Sequence, residues 1–463
     1  MLDIQSLFPD ADAALTQVLE ASPRSLLAVN AELDYNRPLS DNDPRYVDTA
    51  KARADKFRKH FFATFGYDPA SGQFEPQPSG KRKHVLFFGH VGCGKSTELA
   101  RLCSELDASS RFWVVRVNVV DLIDPGNADY SDIWLAVAQQ LMHRLQHDQL
   151  AIEPIALQRM NNWFSERVLT DEKINEFSAE VKTEAEMGGG IPFMAKLLAK
   201  FTAVIKSGGS RRDVVRTVVK NTFDEFIKAL DLLITSATVA VTSSGKGRQI
   251  LFMIDGADRF RSDDWKRLFV DDANQLTMAR CVVVYTVPMA LKSSGHRLDL
   301  FDSLVLPMIK LHDSDDAAGR RPEAYDAMRK MLLKRCHYSL IDATGTLDAL
   351  IDCSGGHLRD AFRLLSYACV EAEDSVLTQV EVDAAAKRLA GDYRDWLEPE
   401  HYAVLVDIAG QPENAGRNDM ITRLVDGGAL LEYNTGRWRQ PHPVVRLLPG
   451  YKKAEAAAQN PSA

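Results

Sequence analysis

The chain has 463 residues, 45% of them hydrophobic and 26% charged, with a formal net charge of -8. That length predicts two to four structural units, and the balance is that of a folded globular chain. The negative charge argues against indiscriminate nucleic-acid binding, although a local basic patch is compatible with it. Cys93, Cys103, Cys281, Cys336, Cys353 and Cys369 form neither a C-x-x-C pair nor a zinc spacing, so they read as reduced thiols. The start, MLDIQSLFPDADAAL, lacks the basic and apolar regions of a signal peptide. No apolar run reaches the roughly 18 residues of a membrane span. A cytoplasmic protein without integral membrane association is expected.

In chain order, residues 1–80 contain amphipathic helices at 11–20 and 46–65, with a polar Pro/Asn/Asp stretch between them. An exposed loop follows at 71–83. The strongest signal is HVLFFGHVGCGKSTELARLC, residues 84–103. A short apolar strand, a Gly-rich loop and a helical pattern follow one another there. The loop, Gly89 to Ser96, is G-x-x-x-x-G-K-S. Gly89, Gly92 and Gly94 let the backbone wrap an anion, so N–H groups of the loop and the helix start at Thr97 face phosphates. Lys95 reaches the outer phosphates, and the Ser96 hydroxyl completes a Mg²⁺ shell. Cys93 sits inside the loop, either as a space-filling residue or as an oxidisable thiol.

Strands are predicted at 111–122, 249–260, 280–291 and 302–311, separated by helical segments. The result is a wound parallel α/β sheet. Asp255 ends its strand and suits a Mg²⁺ ligand opposite Ser96. Gly256 stands where a second acid often follows, and the next acid is Asp258. Asp258 either orients or deprotonates a water, caps a helix, or serves an interface. Thr286, at the tip of the neighbouring strand, either bonds a terminal phosphate or its attacking water, or satisfies a loop.

Between the phosphate loop and Asp255 lies a helical insert, about 150–246. Its residues 159–187 are mixed and charged. Phe193, Met194, Leu197, Leu198, Phe201, Val204 and Ile205 line one face of a helix with Lys196 and Lys200 opposite. This face packs on the protein's own core or a partner, or lies in a membrane plane. A long helix follows at 221–241. Helices are also expected at 322–336 and 346–352, and a glycine pair precedes Arg359 in the first turn of another. Near the C-terminus, helices at 401–409 and 418–426 lead to a hairpin with an Asn-Thr-Gly turn. Residues 433–453 carry five Lys/Arg and no acid, interleaved with Trp438 and Tyr451. They read as a nucleic-acid face, a protein-docking face or plain structure.

Over about residues 81–396 the chain resembles P-loop ATPases of the AAA+/STAND branch, including origin-recognition-type and KAP-type proteins. The Asp255-Gly-x-Asp258 turn is similar to the STAND and KAP form rather than to an Asp-Glu pair. The resemblance implies ATP and Mg²⁺ as ligands and an ATP-hydrolysing switch or motor. It makes Arg359 a lid arginine that contacts nucleotide, and Arg297 a positional match to a trans-acting arginine finger. It also implies a homo-oligomer or a partner effector, in prokaryotic defence or DNA transactions. Alternatives are a nucleotide-gated scaffold with little hydrolysis, and an origin- or transposon-type DNA-binding ATPase. The expected organisation is an N-terminal segment (1–80), an ATPase core (81–312), a helical lid (313–395) and a winged-helix-like module (396–463).

Overall fold

The computed structural model describes residues 2–53, 56–78, 80–168, 190–313, 319–413, 416–433 and 438–460. β-Branched and aromatic runs form five core strands: β1 (Lys83–Gly89), β2 (Phe112–Asn118), β3 (Gln249–Asp255), β4 (Val282–Pro288) and β5 (Asp302–Val305). They pair in the order β2-β3-β4-β1-β5, with every ladder parallel. Side chains of β1 alternate between two cores, Leu86 and Phe88 in one, Val85 and Phe87 in the other. Both faces of the sheet are therefore covered, as parallel sheets require. With a phosphate-loop sequence leaving β1 into a helix, this is the α/β P-loop NTPase fold. The last strand is shorter than the expected 302–311: Leu306 still donates to Phe88 (2.9 Å), but Pro307 has no N–H to continue the ladder.

Helix α1 (Lys95–Ala108) follows the phosphate loop. The insert contributes α2 (Tyr130–His147), α3 (Ile191–Ser207), α4 (Ser210–Asn221) and α5 (Phe223–Ser243). Most of the charged stretch expected at 159–187 lies outside the described residues. Met194, Leu197, Leu198, Phe201 and Ile205 of α3 are buried, and α3 lies along α2. The apolar face thus packs on the protein's own core. Arg216 of α4 fastens the insert to α2 by bonding Asp132 (3.0 Å) and Asn127 (3.0 Å). Burial pushes the Asp132 carboxyl up to about 6. Among the described residues α5 is the one helix long and apolar enough to cross a membrane, and half of its apolar window is buried inside the protein.

Beyond the sheet come α6 (Pro322–Leu333), α7 (Thr344–Ser354), α8 (Leu358–Glu371) and α9 (Gln379–Arg394). The C-terminal module consists of α10 (Pro399–Gly410), α11 (Asp419–Asp426), the antiparallel pair β6 (Leu430–Tyr433) and β7 (Trp438–Pro441), and α12 (Pro449–Gln459). The Asn-Thr-Gly turn lies outside the described residues.

Two expectations change here. The interleaved aromatics are not a stacking face, because Trp438 and Tyr451 are only 5% and 2% exposed. Trp438 packs on Tyr433 (ring centroids 4.3 Å apart) and shares a core with Phe57 and Phe61. Arg439 is buried against Glu432 (2.7 Å), which leaves Arg446, Lys452 and Lys453 as the exposed basic residues described there. The helix expected at 46–65 starts later, and its described helical residues are Ala50–Arg53 and Lys56–Thr64. Tyr46 and Val47 precede them in non-helical backbone and line a cavity described below.

Candidate nucleotide site

The site lies at the carboxyl ends of the strands, where open α/β sheets bind ligands. Lys95 opens α1, with Gly94 as its N-cap in the left-handed region (φ 92°). Its ammonium is 3% exposed and has three partners. It donates to the carbonyls of Gly89 (2.9 Å) and His90 (2.9 Å) and pairs with Asp258 (2.8 Å). Ser96 donates its hydroxyl proton to Asp255 Oδ1 (2.9 Å). Two carboxylates thus meet the two polar residues of the loop, one each.

Gly256 makes this division possible. Its φ of 93° belongs to the left-handed region, and a Cβ there would sit 2.7 Å from Val120 Cγ2. The backbone therefore turns sharply into Ala257–Arg259 and swings Asp258 beneath Lys95. Asp258 is not the cap of the following helix, whose N-cap is Arg261. Burial alone would raise the Asp258 carboxyl, but the Lys95 ammonium outweighs it and holds the group below its ordinary value. Asp255 moves the other way, raised by burial and by the Asp258 charge beside it. Neighbouring carboxylates are often split in this manner.

Thr286 departs from its expected place. It lies inside β4, two residues before the strand's end, and is fully buried. Its hydroxyl accepts from the Gly256 amide (2.8 Å) and donates to Asp258 (3.4 Å). It therefore braces the acidic turn rather than facing the cavity. The Cys93 side chain is likewise inside, 1% exposed in the core with Val85 and Leu99, and fills space. Thr97 accepts the Leu39 amide (3.2 Å), tying the N-terminal segment to α1. Arg297 is 91% exposed, 3.6 Å from Asp299, and does not line the cavity.

Helix α8 closes onto the loop. The Arg359 amide donates to the Gly92 carbonyl (3.1 Å), and His357 Nε2 bonds the Val91 carbonyl (2.7 Å). A Cβ on Gly92 would lie 2.7 Å from that of Arg359, so only glycine permits this approach. The Arg359 guanidinium lines the cavity, with its Nε unpartnered, and burial lowers its pKa. Arg359 lies in the first turn of α8, the position expected from the sequence.

The cavity is open to solvent. Its wall away from Lys95 contains Tyr46, Val47, Met331, Arg335, Leu358 and Phe362, none of which the sequence reading identified. Arg335 lies over the Phe362 ring (4.5 Å) and donates to Met331 O (2.9 Å). Burial brings its pKa down to about 10. These residues come from the N-terminal segment, from α6 and the turn after it, and from α8, and no local motif joins them.

Behind the loop, His357 Nδ1 and His442 Nε2 approach Asp360 Oδ2 at 3.1 and 3.2 Å. The composition suits a metal, but His442 Nδ1 accepts the Val444 amide (3.3 Å). That bond places the ring proton on Nε2, so the lone pair a metal needs there is absent. The His442 proton faces the carboxylate, which Tyr393 (2.7 Å) and Arg363 (2.9 Å) also contact. The cluster joins α8, α9 and the C-terminal module.

No family model and no curated protein matches the chain. Solved structures similar to it include a Walker-type ATPase of Pyrococcus abyssi, 11% identical over 89% of this chain and 98% of that one, with a TM-score of 0.39. Cdc6p from Pyrobaculum aerophilum is 12% identical over 89% and 99%, with a TM-score of 0.34. A RuvB variant of Thermotoga maritima is 12% identical over 79% and 86%, with a TM-score of 0.29. At these values the likeness concerns the fold alone.

Proposed function

We propose that the protein binds ATP with Mg²⁺ and hydrolyses it, acting as a switch or motor on a partner protein or a second copy of itself. The observation that carries this reading is the double pairing of Ser96 with Asp255 (2.9 Å) and Lys95 with Asp258 (2.8 Å), where Lys95, Ser96 and Asp258 line one cavity. Hydroxyl and carboxylate oxygens suit Mg²⁺, so Ser96 and Asp255 would hold the metal, which neutralises phosphate charge. Lys95 would exchange Asp258 for the outer phosphates. Asp258, released from Lys95, then orients the attacking water or takes its proton as the terminal phosphorus–oxygen bond breaks. Arg359 contacts the phosphates from the lid. Arg297, exposed and outside the cavity, fits a role only toward a neighbouring molecule.

A second reading, DNA binding coupled to ATP hydrolysis, rests on exposed Arg446, Lys452 and Lys453. Steady-state turnover of the wild type, Lys95→Ala and Asp258→Ala, with and without duplex DNA, tests both readings. Lys95→Ala should lower turnover on the order of 10²–10³-fold, as losing a preorganised charge does. Undiminished turnover in that variant refutes the reading, wild-type turnover in Asp258→Ala makes that acid structural, and stimulation by DNA supports the second reading.

A further inference from the structure

His90 occupies a variable position of the phosphate loop, a place where any side chain satisfies the motif. Here it is 2% exposed and points away from the cavity into the C-terminal module. Its Nε2 accepts the Glu432 amide of β6 (2.9 Å), and the ring lies against the backbone of Val425 in α11. A ring nitrogen that accepts an N–H carries no proton, so the neutral ring holds its proton on Nδ1. Burial agrees, taking the pKa down to about 3. The His90 carbonyl in turn accepts a proton of Lys95 (2.9 Å). A short path therefore runs from β6 through one histidine to the ammonium expected to meet phosphate.

The far end of that path is rigid. Glu432 pairs with Arg439 across the hairpin (2.7 Å) and accepts from Ser293 (3.3 Å) in the turn of helix after β4. Arg439 also donates to Gly416 O (3.0 Å). Such a buried pair sets register more than it adds stability. The hairpin strand is thereby held against the core at the residue whose amide meets His90.

We propose that His90 is a positioning residue for nucleotide binding, holding the phosphate loop, and through its carbonyl Lys95, in register with the C-terminal module. This rests on the nucleotide-binding reading above. The module is then a component of the site. Glutamine should serve in place of the ring, because its side-chain carbonyl can accept the Glu432 amide where Nε2 does. Alanine leaves the buried Glu432 amide unpaired.

The test compares wild type, His90→Ala and His90→Gln for the Kd of Mg·ATPγS and for kcat and KM with ATP. Hydrogen exchange at the Glu432 amide is measured in the wild type with and without the analogue. His90→Ala should raise Kd and KM about tenfold, the size of one lost buried hydrogen bond, with a smaller change in kcat. His90→Gln should recover to within about twofold of wild type, and bound analogue should slow exchange at Glu432. Equal Kd in His90→Ala overturns the proposal, as does a glutamine variant as weak as alanine. Should His90→Ala fail to fold, unchanged exchange at Glu432 on binding overturns it alone. A wild type that binds no analogue fails the nucleotide reading first, and the proposal with it.

Discussion

Two buried ion pairs lie on either side of His90, and they are built alike. Lys95 and Asp258 approach to 2.8 Å, Arg439 and Glu432 to 2.7 Å, and every side chain is at most 8% exposed. Their surroundings differ. Lys95 and Asp258 line a cavity open to solvent, from which a ligand can compete for the ammonium. Arg439 and Glu432 are enclosed by Ser293, the Gly416 carbonyl and the hairpin itself. A buried pair can exchange partners only where a ligand can replace one member. Elsewhere the same chemistry locks a register, since desolvated charges seldom gain much over an apolar pair.

The widest expected difference is in stability. Glu432→Gln should cost about 3–5 kcal/mol in denaturant unfolding, because it strands the Arg439 charge inside the protein. A cost near zero would break the comparison from the C-terminal side. At the cavity, Asp258→Asn should tighten Mg·ATPγS binding about tenfold while slowing turnover, because Lys95 no longer has to leave a carboxylate. Weaker binding in that variant would mean that the pair assists the nucleotide state rather than competing with it.

A third effect is a pH dependence. Burial holds His84 at about 4 and His90 at about 3, below the ordinary histidine value of 6.5. The unfolded chain therefore binds protons that the folded one refuses. Stability should fall as pH drops through about 6.5 and continue falling toward 4. Melting temperature measured from pH 7 to pH 4 checks this, and His90→Gln should flatten part of the slope. The smallest change is expected at Arg297. Its replacement by Ala should leave stability within about 0.5 kcal/mol, so any loss of turnover that depends on protein concentration would assign it to a neighbouring copy.

How much of this was legible follows from how far apart the contributing residues are. Gly89 to Ser96 and Asp255 were readable because a loop that wraps phosphate needs consecutive amides after a strand. Asp255 likewise directly follows an apolar run. Asp258 was readable as an acid but not as the partner of Lys95, which depends on the left-handed turn at Gly256. Thr286 was misplaced because a strand pattern does not reveal which residue is its last. The wall formed by Tyr46, Met331, Arg335 and Phe362 had no local signature, since each residue is ordinary in its own helix or linker. Trp438 and Tyr451 misled because alternating basic and aromatic residues describe a stacking face and a packed hairpin equally well.

Contiguous residues therefore determine the sheet class, the strand–loop–helix setting of Gly89 to Ser96 and the strand-end position of Asp255. Covalent neighbours stay neighbours in every conformation, so a motif within one turn survives folding unchanged. The partner of Lys95, the wall around the cavity and the burial of the basic hairpin were decided by long-range packing. Each required two distant segments to exclude water between them, and desolvation then determined which charges paired and which remained open to a ligand.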